Sequence, residues 1–172
     1  NNRFNSIKLN ESASPIMSDK TYAASKLEFN NPQNLIEKNL LIFENNLSFE
    51  ITDFSTLKFK KIFLISNKNE NRTIKLSEKV LNFKYHLIED QKKRLEEKSV
   101  NFEIIDISKI KNIGESVYGL YPNVGENLDY INSNKLKIEF LYRKLDQFSW
   151  QYCNKGFFNF KNYIPKIITT FN

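Results

Sequence analysis

The chain has 172 residues, a formal charge of +6, a pI near 9.2 and a single cysteine, Cys153. This length suits one domain with a real core. One thiol excludes an intrachain disulfide framework, and no apolar run approaches the roughly 20 residues that span a bilayer. The charge is moderate: 26 basic residues face 20 acidic ones, which permits contact with RNA or anionic lipid without making the whole surface a polyanion receptor.

Asparagine is in excess, with 24 Asn and 15 Phe against only 4 Gly and 4 Pro. Asn, Lys, Ile, Phe and Tyr share AT-rich codons, so the bias points to an AT-rich genome and warns against reading each Asn as functional. The sequons at Asn10, Asn46 and Asn71 are as many as this composition yields by chance. The chain begins Asn1-Asn2-Arg3-Phe4 and not with Met. With the basic pI and the lone thiol, the expectation is a processed organellar protein, mitochondrial, with the cytoplasm as the other location.

Residues 1–30 read as an extended arm, because Ile7, Leu9, Ile16 and Met17 keep no period and would need a partner surface to order them. Residues 31–156 read as a single α/β domain. Asn31-Pro32 signals a short helix to about Lys38. Leu40–Glu44 and Leu47–Thr52 flank Asn45-Asn46, which predicts a β-hairpin with Leu47, Phe49 and Ile51 on one face.

The central prediction is a strand, helix, strand unit. Lys61–Ile65 is an apolar run without alternation, the mark of a strand covered on both faces, and Asn101–Ile107 is a second strand. The crossover helix from Thr73 to about Lys98 makes them parallel. Its apolar residues form two stripes: Leu76, Val80, Phe83 and Leu87, and, about 120° away, Ile74, Leu81, Ile88 and Leu95. One sheet covers only one stripe, so the other calls for a partner.

Lys109 to about Ile131 reads as an irregular loop holding Gly114, Gly119, Gly125 and Pro122. A C-terminal helix follows from about Ser133 to Tyr152, with Ile138, Leu141, Leu145, Phe148 and Tyr152 as its core stripe and Gly156 as its stop. Residues 157–172 form an aromatic tail that should dock. The fold expected is therefore a small sheet with a parallel strand–helix–strand core, an added hairpin, a C-terminal helix and extended termini.

Catalytic signals are few. His86, the only histidine, projects away from both apolar stripes, and Cys153 sits at a helix end that disfavours a thiolate. Metal ligation by His and Cys is excluded by count, and no metal site or catalytic residue is assigned. The anion option is Ser66–Thr73, at the carboxyl end of a parallel strand and before the long helix; Ser66, Asn67, Arg72 and Thr73 would face a phosphate, with Tyr118 and Tyr121 of the glycine-bearing loop stacking on a flat ligand. No glycine fingerprint accompanies them.

Trp150 lies off the core stripe of its helix near Arg143, and Phe157, Phe158, Phe160 and Tyr163 interleave with Lys155, Lys161 and Lys166. Aromatic residues with Arg or Lys are typical of interfaces with other protein subunits, and also of RNA contacts. The functional expectation is a non-catalytic accessory or structural subunit of a large assembly, protein or ribonucleoprotein, without cofactor. The alternative is a small flavodoxin-like or Rossmann-like enzyme or binding module for FMN, a nucleotide or another phosphate-bearing ligand.

Overall fold

Strand β1 (Asn39–Phe43) is buried at all five positions, and a strand with no solvent face belongs inside a sheet covered on both sides. The computed structural model, which describes residues 28–29, 35, 37–114 and 117–171, places it at the centre. It pairs in parallel with β2 (Lys61–Ser66) on one side and with β4 (Val117–Leu120) on the other. Outside these lie β3 (Phe102–Asp106) and β5 (Ile138–Leu141), giving an all-parallel five-stranded sheet in the order β3-β2-β1-β4-β5.

The α-helices are α1 (Glu78–Glu97), α2 (Glu126–Ser133), α3 (Lys144–Trp150), α4 (Phe157–Lys161) and α5 (Ile164–Phe171). Parallel strands need crossovers, and these cover opposite faces. On one face, Ile88 and Leu95 of α1, with Phe49 and Phe54 from the β1–β2 connection, pack on Leu40, Ile42, Ile62, Leu64 and Leu120. On the other, Ile107 and Ile110 from a 3-10 turn and Ile131 of α2 pack on Leu41, Phe43, Phe63, Ile65 and Val117. Each such side chain, fully buried, contributes about 1.5–3 kcal/mol. The covering face changes after β3, so the winding reverses between β1 and β4.

The strand–helix–strand core is therefore present, with four corrections around it. No hairpin forms: the segment after β1 makes a 3-10 turn at Phe49–Ile51, with Phe49 buried and Ile51 exposed. Asn45 and Asn46, which mimic a hairpin turn in sequence, instead send their side chains to the carbonyls of Pro122 and Tyr121 beyond β4. The long helix starts at Glu78, not Thr73, because Asn69 bonds both the amide and the carbonyl of Leu76 and holds the approach non-helical.

The stretch 109–131 is largely regular, containing the end of a 3-10 turn, β4 and most of α2. Gly119 lies inside β4, not in a loop; a Cβ there would meet Ile138 Cγ2 at 3.0 Å and Phe43 at 3.4 Å. The helix expected over 133–152 is a strand followed by a short helix, β5 and α3, whose joint spacing of Ile138, Leu141, Leu145 and Phe148 imitates helical periodicity. The aromatic tail is α4 and α5, docked through Tyr152 stacked on Tyr163 at 4.2 Å and Phe148 against Phe171. Of the arm at 1–30 only Glu28 and Phe29 are described, and most of the Asn31–Lys38 helix likewise lies outside the described residues.

Candidate functional site

Strand carboxyl ends at a winding reversal leave a crevice, the usual ligand position in an open α/β sheet. Here the crevice lies beyond Phe43 and Leu120, where Glu44–Asn46 leave β1 and Tyr121–Gly125 lead into α2. Loop 67–72 after β2 closes it from the side. Gly125, at φ 131°, takes a backbone conformation that strains any other residue and starts α2 directly against the crevice.

Four charged side chains meet there. Arg72, with its side chain fully buried, donates from Nη2 to Glu44 Oε1 at 2.7 Å and from Nη1 to Glu126, while Nε and Nη2 also bond the Asn67 carbonyl at 3.0 and 2.6 Å. Lys84 of α1 reaches the same Glu44 Oε1 at 2.7 Å and lies 3.9 Å from Glu126. Burial pushes the Arg72 guanidinium down, but its bonds to Glu126 and Glu44 more than offset this, so it is held charged. Two cations and two anions match, and the cluster links β1, loop 67–72, α1 and α2.

Beside it runs a chain of asparagine amides. Asn45 donates to the Pro122 carbonyl, Asn127 Nδ2 donates to Asn45 Oδ1 at 3.4 Å, and Asn67 Nδ2 donates to Asn127 Oδ1 at 3.3 Å. Since a carbonyl only accepts, Pro122 fixes the direction of every amide in the chain. The last acceptor, Asn67 Oδ1, is buried and has no partner among the described residues. At the end of β3, burial pushes the Asp106 carboxyl up, yet bonds from the Ser108 hydroxyl and amide, Asn71 and the Lys68 amide bring it below the usual carboxylate range.

Two grooves flank the crevice. One of about 630 Å³ runs between Arg72–Ile74 and Glu126, Asp129 and Tyr130 of α2; another of about 480 Å³ lies between Ser66–Asn69 and Leu81, Lys84 and Tyr85 of α1. The expected anion residues thus share one edge but are largely occupied. Ser66 Oγ donates to the Ile105 carbonyl, Arg72 makes four hydrogen bonds to Glu44, Glu126 and the Asn67 carbonyl, and Thr73 stands exposed at the rim of the larger groove.

Tyr118 and Tyr121 do not form one platform. Tyr118 is buried in β4, its hydroxyl pushed up in pKa by burial and then by Glu139. Tyr121 joins Phe140, Tyr142 and Trp150 at ring distances of 5.0–5.7 Å. Sequence reasoning missed Glu44, Lys84, Asn45, Asn127 and Glu126; a charged residue directly after the apolar run Leu40–Phe43 was the one available sign.

The expected interface residues also find positions. Trp150 is half-buried among its own chain's Phe29, Tyr121 and Tyr142, with Phe29 stacked at 5.9 Å, so it is an internal anchor for Phe29. Arg143 Nε donates to Asp146 Oδ2 at 2.7 Å. Phe160 and Tyr163 are half-buried, whereas Phe157 and Phe158 stand out at 64% and 85% exposure. His86 and Cys153 are both exposed. On α1 the inner stripe of Leu81, Ile88 and Leu95 faces the sheet, and the outer stripe of Val80, Phe83 and Leu87 is exposed.

Among the described residues no group of His, Cys, Asp and Glu could hold a metal ion, and no helix is long and apolar enough to cross a membrane. The chain matches no protein-family model, no curated protein and no solved structure.

Proposed function

We propose that the chain is a non-catalytic accessory or structural subunit of a large protein or ribonucleoprotein assembly, in the mitochondrion. The outer stripe of α1 carries this reading. Val80, Phe83 and Leu87 recur at i, i+3 and i+7 and stay in solvent after the sheet has taken the inner stripe, and a contiguous apolar face of that kind is costly unless another molecule covers it. The matched ion pairs at the switch point support the same reading, since their charges are spent on holding four segments together.

The test is native size fractionation of extracts from cells carrying the tagged chain. Wild type should run in one large complex, and Phe83→Asp with Leu87→Asp should shift it to the free fraction without lowering its melting temperature. Wild type running as a free monomer overturns the proposal.

A second reading, a module for a phosphate-bearing ligand, is favoured by the grooves at the carboxyl edge and by Asn67 Oδ1, which has no partner among the described residues. Titration with FMN and with ATP checks it: saturable binding weakened by Thr73→Val and Lys84→Met supports it, and no binding of either removes it.

A further inference from the structure

All 20 acidic residues of the chain precede Gln147, whereas Lys155, Lys161 and Lys166 follow it, so half of the net side-chain charge of +6 sits in the last 26 residues with no acidic side chain among them. The same segment leaves apolar side chains in solvent. Phe157 and Phe158 open α4 at 64% and 85% exposure, and Ile168 on α5 is 52% exposed. On α5, Ile164, Ile167, Ile168 and Phe171 fall at i, i+3, i+4 and i+7; Ile167 is buried and Phe171 packs on Phe148, which leaves Ile168 on the open flank.

We propose that α4 and α5 form a docking face for an anionic lipid surface. Short amphipathic helices with Phe and Ile on one side and lysines beside them lie in the headgroup region, where apolar area and cationic charge act together. The residue choice favours lipid over RNA. Tyr152 and Tyr163, the rings best suited to a base, are closed against each other at 4.2 Å, and Phe157 and Phe158 meet edge to face at 5.8 Å instead of offering a flat platform. The segment has no Arg to grip a phosphate bidentately, and exposed Ile168 stacks on nothing but partitions into acyl chains. Because lysine is the only charged side chain type after Asp146, the segment also selects the sign of the surface.

Sedimentation of the full chain with phosphatidylcholine vesicles, with and without phosphatidylglycerol, tests this. Binding should require phosphatidylglycerol and weaken with salt. It should fall by more than about tenfold in Lys155→Glu/Lys161→Glu, where two attractive charges become repulsive, and in Phe157→Ser/Phe158→Ser. Phe158→Ser alone, at the most exposed of these positions, separates lost docking from lost folding and should weaken binding while leaving the melt unchanged. No sedimentation, equal binding to neutral vesicles, or retention of poly(U) RNA in place of vesicles overturns the proposal.

Discussion

Arg72 shows how one side chain can be indispensable without touching a ligand. Removing it leaves Glu44, itself 3% exposed, with Lys84 alone. Arg72→Met should therefore destabilise the fold by about 3 kcal/mol, because breaking a buried pair strands its partner charge, while Arg72→Met/Glu44→Leu should recover most of the loss. Urea midpoints for the single and double variants check both, and additive losses would show that the pair is uncoupled. Asp106 gives a pH signature. Its folded pKa is depressed below 3.8, so its contribution is complete above that value and disappears as pH falls through the folded value. Asp106→Asn should lower the melting temperature at neutral pH and flatten its decline below about pH 4; wild type and variant melting in parallel across that range would contradict the assignment.

At the scale of elements, Gly119 is the position where packing overrides propensity. Valine is a better strand former than glycine, yet side-chain atoms at 3.0 and 3.4 Å leave no room for it between β5 and Phe43. Gly119→Val should cost about 1–3 kcal/mol by overpacking, read from chemical denaturation; a stabilised variant would mean that the neighbours yield freely. The same strand shows why parts of the architecture escaped the sequence. β2, α1 and β3 were legible because a pure apolar run, a long 3.6-residue period and a second apolar run differ sharply. β4 and β5 have four residues each, too few to display a period, and Ile138 and Leu141 of β5 continue numerically into Leu145 and Phe148 of α3. Asn45-Asn46 satisfied hairpin chemistry locally while their amides were committed to carbonyls more than 70 residues away. The charged cluster was hidden for a related reason. Its members leave four separate segments, and no spacing in one sequence announces that Glu44, Arg72, Lys84 and Glu126 converge.

At the scale of the molecule, exposed apolar side chains gather on the outer stripe of α1 and on α4–α5, with others such as Ile51, Ile74 and Val124 standing apart. The isolated chain should self-associate as concentration rises, and Phe83→Ser/Leu87→Ser should reduce that association at unchanged stability. Light scattering decides it: a monodisperse wild type at high concentration would remove the main support for an assembly partner. The placement of β1 has a further consequence, for the order in which the protein can be made. Asn39 pairs with Lys61 on one side but with Val117 on the other, so the innermost strand is synthesised before both neighbours and receives the second only after β3 has been made. Between completion of β2 at Ser66 and of β4 at Leu120 the ribosome adds 54 residues, roughly 3–10 s of translation. Throughout that interval the nascent chain carries an unpaired edge, apolar from Leu40 to Phe43, of the kind that recruits foreign strands. Chains stopped at residue 114 should therefore aggregate or remain chaperone-bound, and chains extended past residue 143 should be released.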